Sequence, residues 1–361
     1  MSIPGMRPLL ASALGGLLAL GATACGSEQA ARTEAAQTEA GRAEAQAGSD
    51  KKITVYSGRS ESLVEPVLED FQEASGITVE VRYGDTAQMA AQLQEEGSRS
   101  PADVLLAQDA GALGAVAEKG LFAELPDEVL DKVPTAYRDE DGEWVGVTGR
   151  VRTMVYDTDQ VSEADLPKSV FELTEPEWKG KVGIAPTNGS FQAFITAMRV
   201  EHGDEKTEDF LAGLKANDAQ IREGNAPIVA DVDSGELASG LVNHYYVYEL
   251  AKEEGATVDA LKAKNHFFPD KDIGSLVNVS GVGVLDKADD DADVREFVDY
   301  LLGTQAQTYF AEQTYEYPLI DGVATAPGLP RLSSLNTPDI DLNDLDDLAA
   351  TVQMIRESGL V

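Results

Sequence analysis

Cysteine occurs once in this chain of 361 residues, histidine three times and tryptophan twice. The single thiol, Cys25, can close no disulfide within the chain. Three histidines, His202, His244 and His266, are too few for a histidine cage around zinc or manganese. Positive charge is scarce as well: 28 Lys and Arg stand against 64 Asp and Glu, a formal net charge of −36. That balance excludes nucleic acid, whose phosphates demand basic residues, and anionic lipid surfaces. Enzyme signatures are also missing. The chain has no G-x-S-x-G elbow, no H-E-x-x-H and no Walker loop, and Gly180-Lys181 lacks both the upstream Gly and the following Ser or Thr. An extracellular hydrolase is the rival from a different class, but it lacks a recognisable nucleophile and base pair, and the chain reads as no enzyme.

What remains is a body rich enough in apolar residues, 43%, to fill two ordinary cores. Residues 1–25 differ from it. They carry a positive amino-terminal region with Arg7, the apolar run "LLASALGGLLALG", and small residues ending "ATAC". The run is too short to span a membrane comfortably, and its end at Cys25 is expected to be a bacterial lipoprotein processing site, with Cys25 lipidated. Residues 26–50 contain no Val, Ile, Leu, Phe, Tyr or Trp, so they cannot offset chain entropy by burial and read as a disordered tether. The acidic runs "DKADDDAD" and "DIDLNDLDD" lack the Gly and Glu of a calcium loop and are expected to be solvated helix ends.

Along the body, β-branched runs alternate with helical stretches. "KKITVYSG" and "ITVEVRYG" read as strands, and "ESLVEPVLEDFQEASG" between them sets Leu63, Val67, Leu68 and Phe71 on one helical face, stopping at Gly76. "ADVLLAQDA", "RTMVYDTD" and "KVGIAPT" read as further strands; "AGALGAVAEKG" and "SFQAFITAMRVEHG" read as helices. Such alternation predicts an α/β fold with mostly parallel sheets. In open α/β sheets ligands bind beyond the carboxyl ends of strands, which directs attention to "YSGRS", "AQDAG", "VYD", "PTNGS" and "NHYY".

"YSGRS" places Arg59 in a Gly-containing turn, either as a surface arginine or as an anion's partner. "PTNGS" puts Asn188, Gly189 and Ser190 at a helix amino terminus, where a bare cap is the commoner reading and a bound anion the alternative. The stretch "NHYYVYEL" places Tyr245 and Tyr246 at a strand-to-helix junction. They read as half-buried packing or as oxygen donors: a phenol needs strong cationic help to ionise at neutral pH, and ferric iron, a hard trivalent ion, supplies it.

From Lys52 to the carboxyl terminus, the blocks "ITVYSGR", "EEGSRSPADVLLAQDAGAL", "TGRVRTMVYD", "PEWKGKVGIAPTNGSF", "LVNHYYVYELAKEEG", "SLVNVSGVGVL" and "YEYPL" occur in order. Together they resemble the ferric-ion-binding (FbpA-like) substrate-binding proteins of bacterial iron ABC transporters. The resemblance implies a two-lobe periplasmic-binding-protein fold (type II) with hinge strands. One lobe is expected from residues 51–148 plus about 275–325, the other from 149–274 plus about 326–361. It also implies that Tyr245, Tyr246 and, in some members, Tyr156 ligate Fe(III), with carbonate or phosphate completing the site. Arg59 is the expected partner of that anion, with Asn188, Gly189, Ser190 and Asn243 beside it and Arg150 as a weaker candidate. The histidine and glutamate ligands of other members would fall on Ser60 and Gln108, so neither is available in that form, and Tyr248 is left to packing. The implied protein is a monomeric solute-binding lipoprotein on the outer face of the cell membrane or in the periplasm, touching the membrane only through its anchor. It would hand iron to an ABC permease with its ATPase. The same fold holding a phosphonate, a thiamine-like molecule or a polyamine is the alternative.

Overall fold

The first strand, β1 (Lys52–Ser57), is followed by α1 (Glu61–Ser75) and β2 (Thr78–Tyr83), and β1 and β2 pair in parallel, as the alternation of apolar runs predicts. Val64, Val67, Leu68 and Phe71 form the buried face of α1, with Leu63 at its margin. The helix stops at Gly76, whose φ of 72° lies in the left-handed region that glycine adopts without strain and whose N–H returns to the Gln72 carbonyl. The computed structural model describes residues 51–361, so the expected signal segment, Cys25 and the tether lie outside the described residues.

The chain continues through α2 (Thr86–Glu96), β3 (Val104–Ala107), α3 (Ala110–Ala117) and the short α4 (Asp127–Leu130) into β4 (Trp144–Asp157). After β4 come β5 (Val182–Ile184), α5 (Gly189–His202), α6 (Asp204–Ala216), β6 (Gln220–Ile221), α7 (Asn225–Ser234), β7 (Ser239–Asn243), α8 (Tyr246–Glu253) and β8 (Ala263–His266). The last third holds β9 (Val277–Val284), α9 (Ala292–Leu301), α10 (Thr304–Gln313), β10 (Tyr317–Pro318) and α11 (Leu348–Ser358). The acidic runs are indeed helix ends: Asp291 caps α9 by accepting from the Asp293 N–H, and Asp347 caps α11 by accepting from Ala350.

Strand order is β2-β1-β3-β9-β4-β7-β5-β6, with β8 and β10 also pairing with β4. The pairs β1–β2, β1–β3, β5–β6 and β5–β7 are parallel, as the βαβ alternation predicts. Every pair involving β4 or β9 is antiparallel, which makes the sheet mixed. All fourteen residues of β4 are buried, because it serves two groups of strands in turn. Up to Val151, which faces Val277, it pairs with β9; from Arg152, which faces Asn243, it pairs with β7. A strand that changes partners in mid-course ties both halves of the sheet together and carries residues 150 and 152 to the place where they meet.

Candidate functional site

The ends of β1, β2, β3 and β7 and the starts of α2, α3, α5 and α8 converge on one cleft of about 440 Å³, bordered by Ser60, Asp85, Gln108, Asp109, Asn188, Gly189, Tyr245 and Tyr246 among others. Beneath it lies a cavity of about 20 Å³ lined by Gln108, Asp109, Arg150, Arg152, Ser190, Asn243, Leu276 and Asn278. That volume admits a water-sized group. Gln108 and Asp109 border both spaces, so the deep cavity is the floor of the cleft. A larger groove of about 930 Å³ runs past Tyr137, Tyr317, Leu329 and Leu335, and its only ionisable side chains besides the two tyrosines are Asp321 and Arg331.

The tyrosine pair sits where the sequence predicts, at the step from β7 into α8. Tyr245 occupies the cap position and Tyr246 the first helical one, and their rings stack with centroids 4.3 Å apart at 30°. Burial, then the neighbouring Tyr246, pushes the Tyr245 phenol well above its ordinary value, and Arg150 pulls the other way. A cation entering here displaces a proton rather than meeting a standing negative charge. Among the described residues no group of three or more His, Cys, Asp and Glu is placed to hold a metal ion.

None of the three histidines borders either space. His244, although adjacent to Tyr245, is fully buried: its Nδ1 accepts from the Val151 N–H at 3.2 Å and its Nε2 donates to the Tyr315 carbonyl at 2.8 Å. The Nδ1 acceptor bond requires the neutral ring, and burial favours it by bringing the pKa down to about 4. Tyr248 packs, tilted at 5.4 Å, on Tyr315 beside Val151 and Tyr317, away from the cleft.

Asn188 caps α5 by accepting from the Ser190 N–H at 3.0 Å and also receives the Ser190 hydroxyl at 2.6 Å. The cap is therefore real, and it stands at the cleft wall with Gly189, while Ser190 and Asn243 reach the floor. Asn225, which the sequence reading missed, joins them by donating to the Ser190 hydroxyl at 3.1 Å.

Two expectations change. Tyr156 borders neither space. It lies opposite Ser239 at the beginning of β7, whereas the tyrosine pair follows Asn243 at the other end, four residues or about 13 Å along the strand. The antiparallel register of β4 against β7 is the cause: the carboxyl end of one strand lies beside the amino end of the other. Arg59, in turn, is not a free guanidinium. Its Nη2 donates to Glu316 at 2.7 Å, both side chains are almost fully buried, and Glu316 also accepts from Thr314 at 2.9 Å and Thr148 at 3.1 Å.

The cationic floor comes instead from Arg150 and Arg152. The spacing of two was legible in "TGRVR", since residues i and i+2 of a strand share a face. Arg150 is 3% exposed, and its Nε and Nη1 have no hydrogen-bond partner among the described residues; Glu316 Oε1 stands 3.9 Å from Nε. Burial, reinforced by Arg59, lowers its affinity for a proton. Arg152 donates to the Leu241 carbonyl at 2.8 Å and to Ser190 at 3.2 Å, lies against the Phe191 and Phe194 rings, and leaves Nε unpartnered. Burial brings it down to about 9, against the pull of Tyr246 and then Tyr245. Two buried guanidiniums with idle donors are costly unless an acceptor completes them. Chemically, the site offers phenol oxygens above and anion-binding donors below.

Residues 99–343 match the family described as bacterial extracellular solute-binding protein. The chain is 33% identical over 319 residues to the Fe(3+)-binding periplasmic protein of Serratia marcescens, covering 88% of this chain and 93% of that one. It is 31% identical over 313 residues to the major ferric iron-binding protein of Neisseria meningitidis serogroup B, covering 85% and 93%. Among solved structures, iron-bound HitA from Pseudomonas aeruginosa matches with a TM-score of 0.79 at 35% identity, covering 85% of this chain and 99% of that one.

Proposed function

From the premise that this chain belongs to the bacterial extracellular solute-binding protein family and has the mixed α/β periplasmic-binding-protein fold of its ferric-binding neighbours, we propose that it captures ferric iron and delivers it to an ABC importer. The observation that carries the reading is the stacked Tyr245–Tyr246 pair on a cleft that shares Gln108 and Asp109 with a cavity lined by two buried arginines with unpartnered donors. Iron is the cargo. Tyr245 and Tyr246 ligate it as phenolates, and a small anion such as carbonate or phosphate bridges it to the floor. Because the floor has room for a water-sized group only, that anion inserts one oxygen toward Arg150, Arg152 and Ser190 and keeps its remainder in the cleft. It supplies the acceptor that both guanidiniums lack.

The two lobes are taken as residues 51–148 with about 275–325 and 149–274 with about 326–361; β4, which changes partners at Val151 and Arg152, serves as a hinge strand between them. Closure then follows from the cargo binding the closed arrangement better than the open one. The protein acts as a monomer outside the cytoplasmic membrane, held there by a lipid on Cys25. Its partners are a permease and the permease's ATPase.

Addition of ferric citrate to the iron-free protein tests the reading: a visible phenolate-to-iron charge-transfer band is expected, and Tyr245→Phe or Tyr246→Phe should sharply reduce iron affinity while the fold persists, because each removes one oxygen and no packing volume. A protein that stays colourless, or phenylalanine variants that bind iron undiminished, would refute it.

A further inference from the structure

The displaced Tyr156 leaves a one-sided donor set. The two phenolates come from one short segment at the start of α8, and the anion of the reading above rests on Arg150, Arg152 and Ser190, which belong to the same expected lobe. An ion held only by these groups would gain nothing from the opposite wall, and closure would go unrewarded. The wall formed by β1, α2 and α3 must therefore offer a donor of its own. Ser60 and Gln108 there are neutral, leaving Asp85 and Asp109 as its anionic oxygens bordering the cleft.

These two acids differ in place. Asp85 precedes α2, is exposed, and borders the cleft alone. Asp109 is partly buried at the start of α3 and borders both the cleft with the tyrosines and the cavity with the unpartnered arginine. Its Oδ1 accepts the Ala112 N–H at 3.0 Å, which fixes the side chain as the helix cap, and among the described residues Oδ2 has no hydrogen-bond donor. One carboxylate oxygen thus holds the group in place and the other remains available. Resting on the ferric reading above, we propose that Asp109 is the anionic donor that the opposite wall contributes to the iron. The carboxylate then joins the two phenolates and the anion as the one donor from the opposite wall, and iron binding ties α3 to α8.

Asp109→Asn is the informative variant, since asparagine caps a helix as well as aspartate does and removes only the charge. Wild type, Asp109→Asn, Asp85→Asn and Tyr245→Phe are compared by thermal midpoint, by ferric affinity in competition with citrate, and by the position of the charge-transfer band. For Asp109→Asn the midpoint should stay near wild type and affinity should fall by at least about 100-fold, more than loss of an outer partner typically costs. Its band should persist but move to longer wavelength, because an iron that has lost an anionic donor accepts phenolate charge more readily. Asp85→Asn should match wild type. Wild-type affinity and band position in Asp109→Asn, with the band weakened in Tyr245→Phe, would overturn the Asp109 assignment and leave the ferric reading standing. A loss confined to Asp85→Asn would overturn it equally. Absence of a band in the wild type would sink the ferric reading, and this assignment with it.

Discussion

Arg59→Ala should act on stability rather than on anion selectivity. The Arg59–Glu316 pair is buried, with side-chain exposures of 2% and 1%, and its members lie 257 residues apart in the chain. Removing one partner of such a pair leaves the other charge uncompensated, at a cost of about 3–5 kcal/mol. Here Glu316 would keep its bonds from Thr148 and Thr314 and retain Arg150 at 3.9 Å, so the lower figure, about 3 kcal/mol, is expected. For a body of this size that corresponds to roughly 5 °C in thermal midpoint. Glu316→Gln should be destabilising too, because it strands Arg59 and removes the nearest negative charge from Arg150. The assay is a thermal or urea melt of the iron-free protein, alongside ferric titrations in carbonate, phosphate and citrate buffers. A lower midpoint with the same rank order of anions supports the structural role. An unchanged midpoint with a loss of affinity that depends on the anion would place Arg59 in the anion site and refute the argument.

Three further outcomes are expected. Arg150→Gln should weaken the effect of added carbonate or phosphate on ferric affinity, since it removes the Nε and Nη1 donors and leaves only Arg152 Nε unpartnered on the floor; retention of the full anion effect in parallel titrations would argue against that role. An ordinary phenol ionises near pH 10, and burial raises Tyr245 further, so iron binding should release about two protons and strengthen by about two decades per pH unit. A weakly buffered titration, corrected for hydrolysis of the chelate, measures this, and near-zero release would exclude phenolate ligation. Gly111→Ala should cost about 1–3 kcal/mol, because its Cβ would lie 2.4 Å from the Leu345 carbonyl oxygen and force residues 342–346 off α3. An unchanged melting midpoint would show that this segment yields freely.

Much of the architecture was legible because it follows from short-range periodicity. The stop of α1 at Gly76, the cap at Asn188, the helix ends in the acidic runs and the tyrosine pair at the β7–α8 step are each dictated by a handful of neighbouring residues. The antiparallel middle of the sheet was not legible in the same way, because β4 and β9 obey no local βαβ rule and find their partners across long stretches of chain.

The sequence by itself determined which chemistry this protein has to offer: phenols in place of thiols and imidazoles, and a few arginines in an acidic chain. Tertiary structure alone decided which of those groups meet. Register, a relation between distant segments, sends Tyr156 to the far end of β7 and brings Arg152 to the floor beside Arg150. A buried carboxylate that must find a counter-ion takes Arg59 for Glu316, and no local pattern around "YSGR" records that claim.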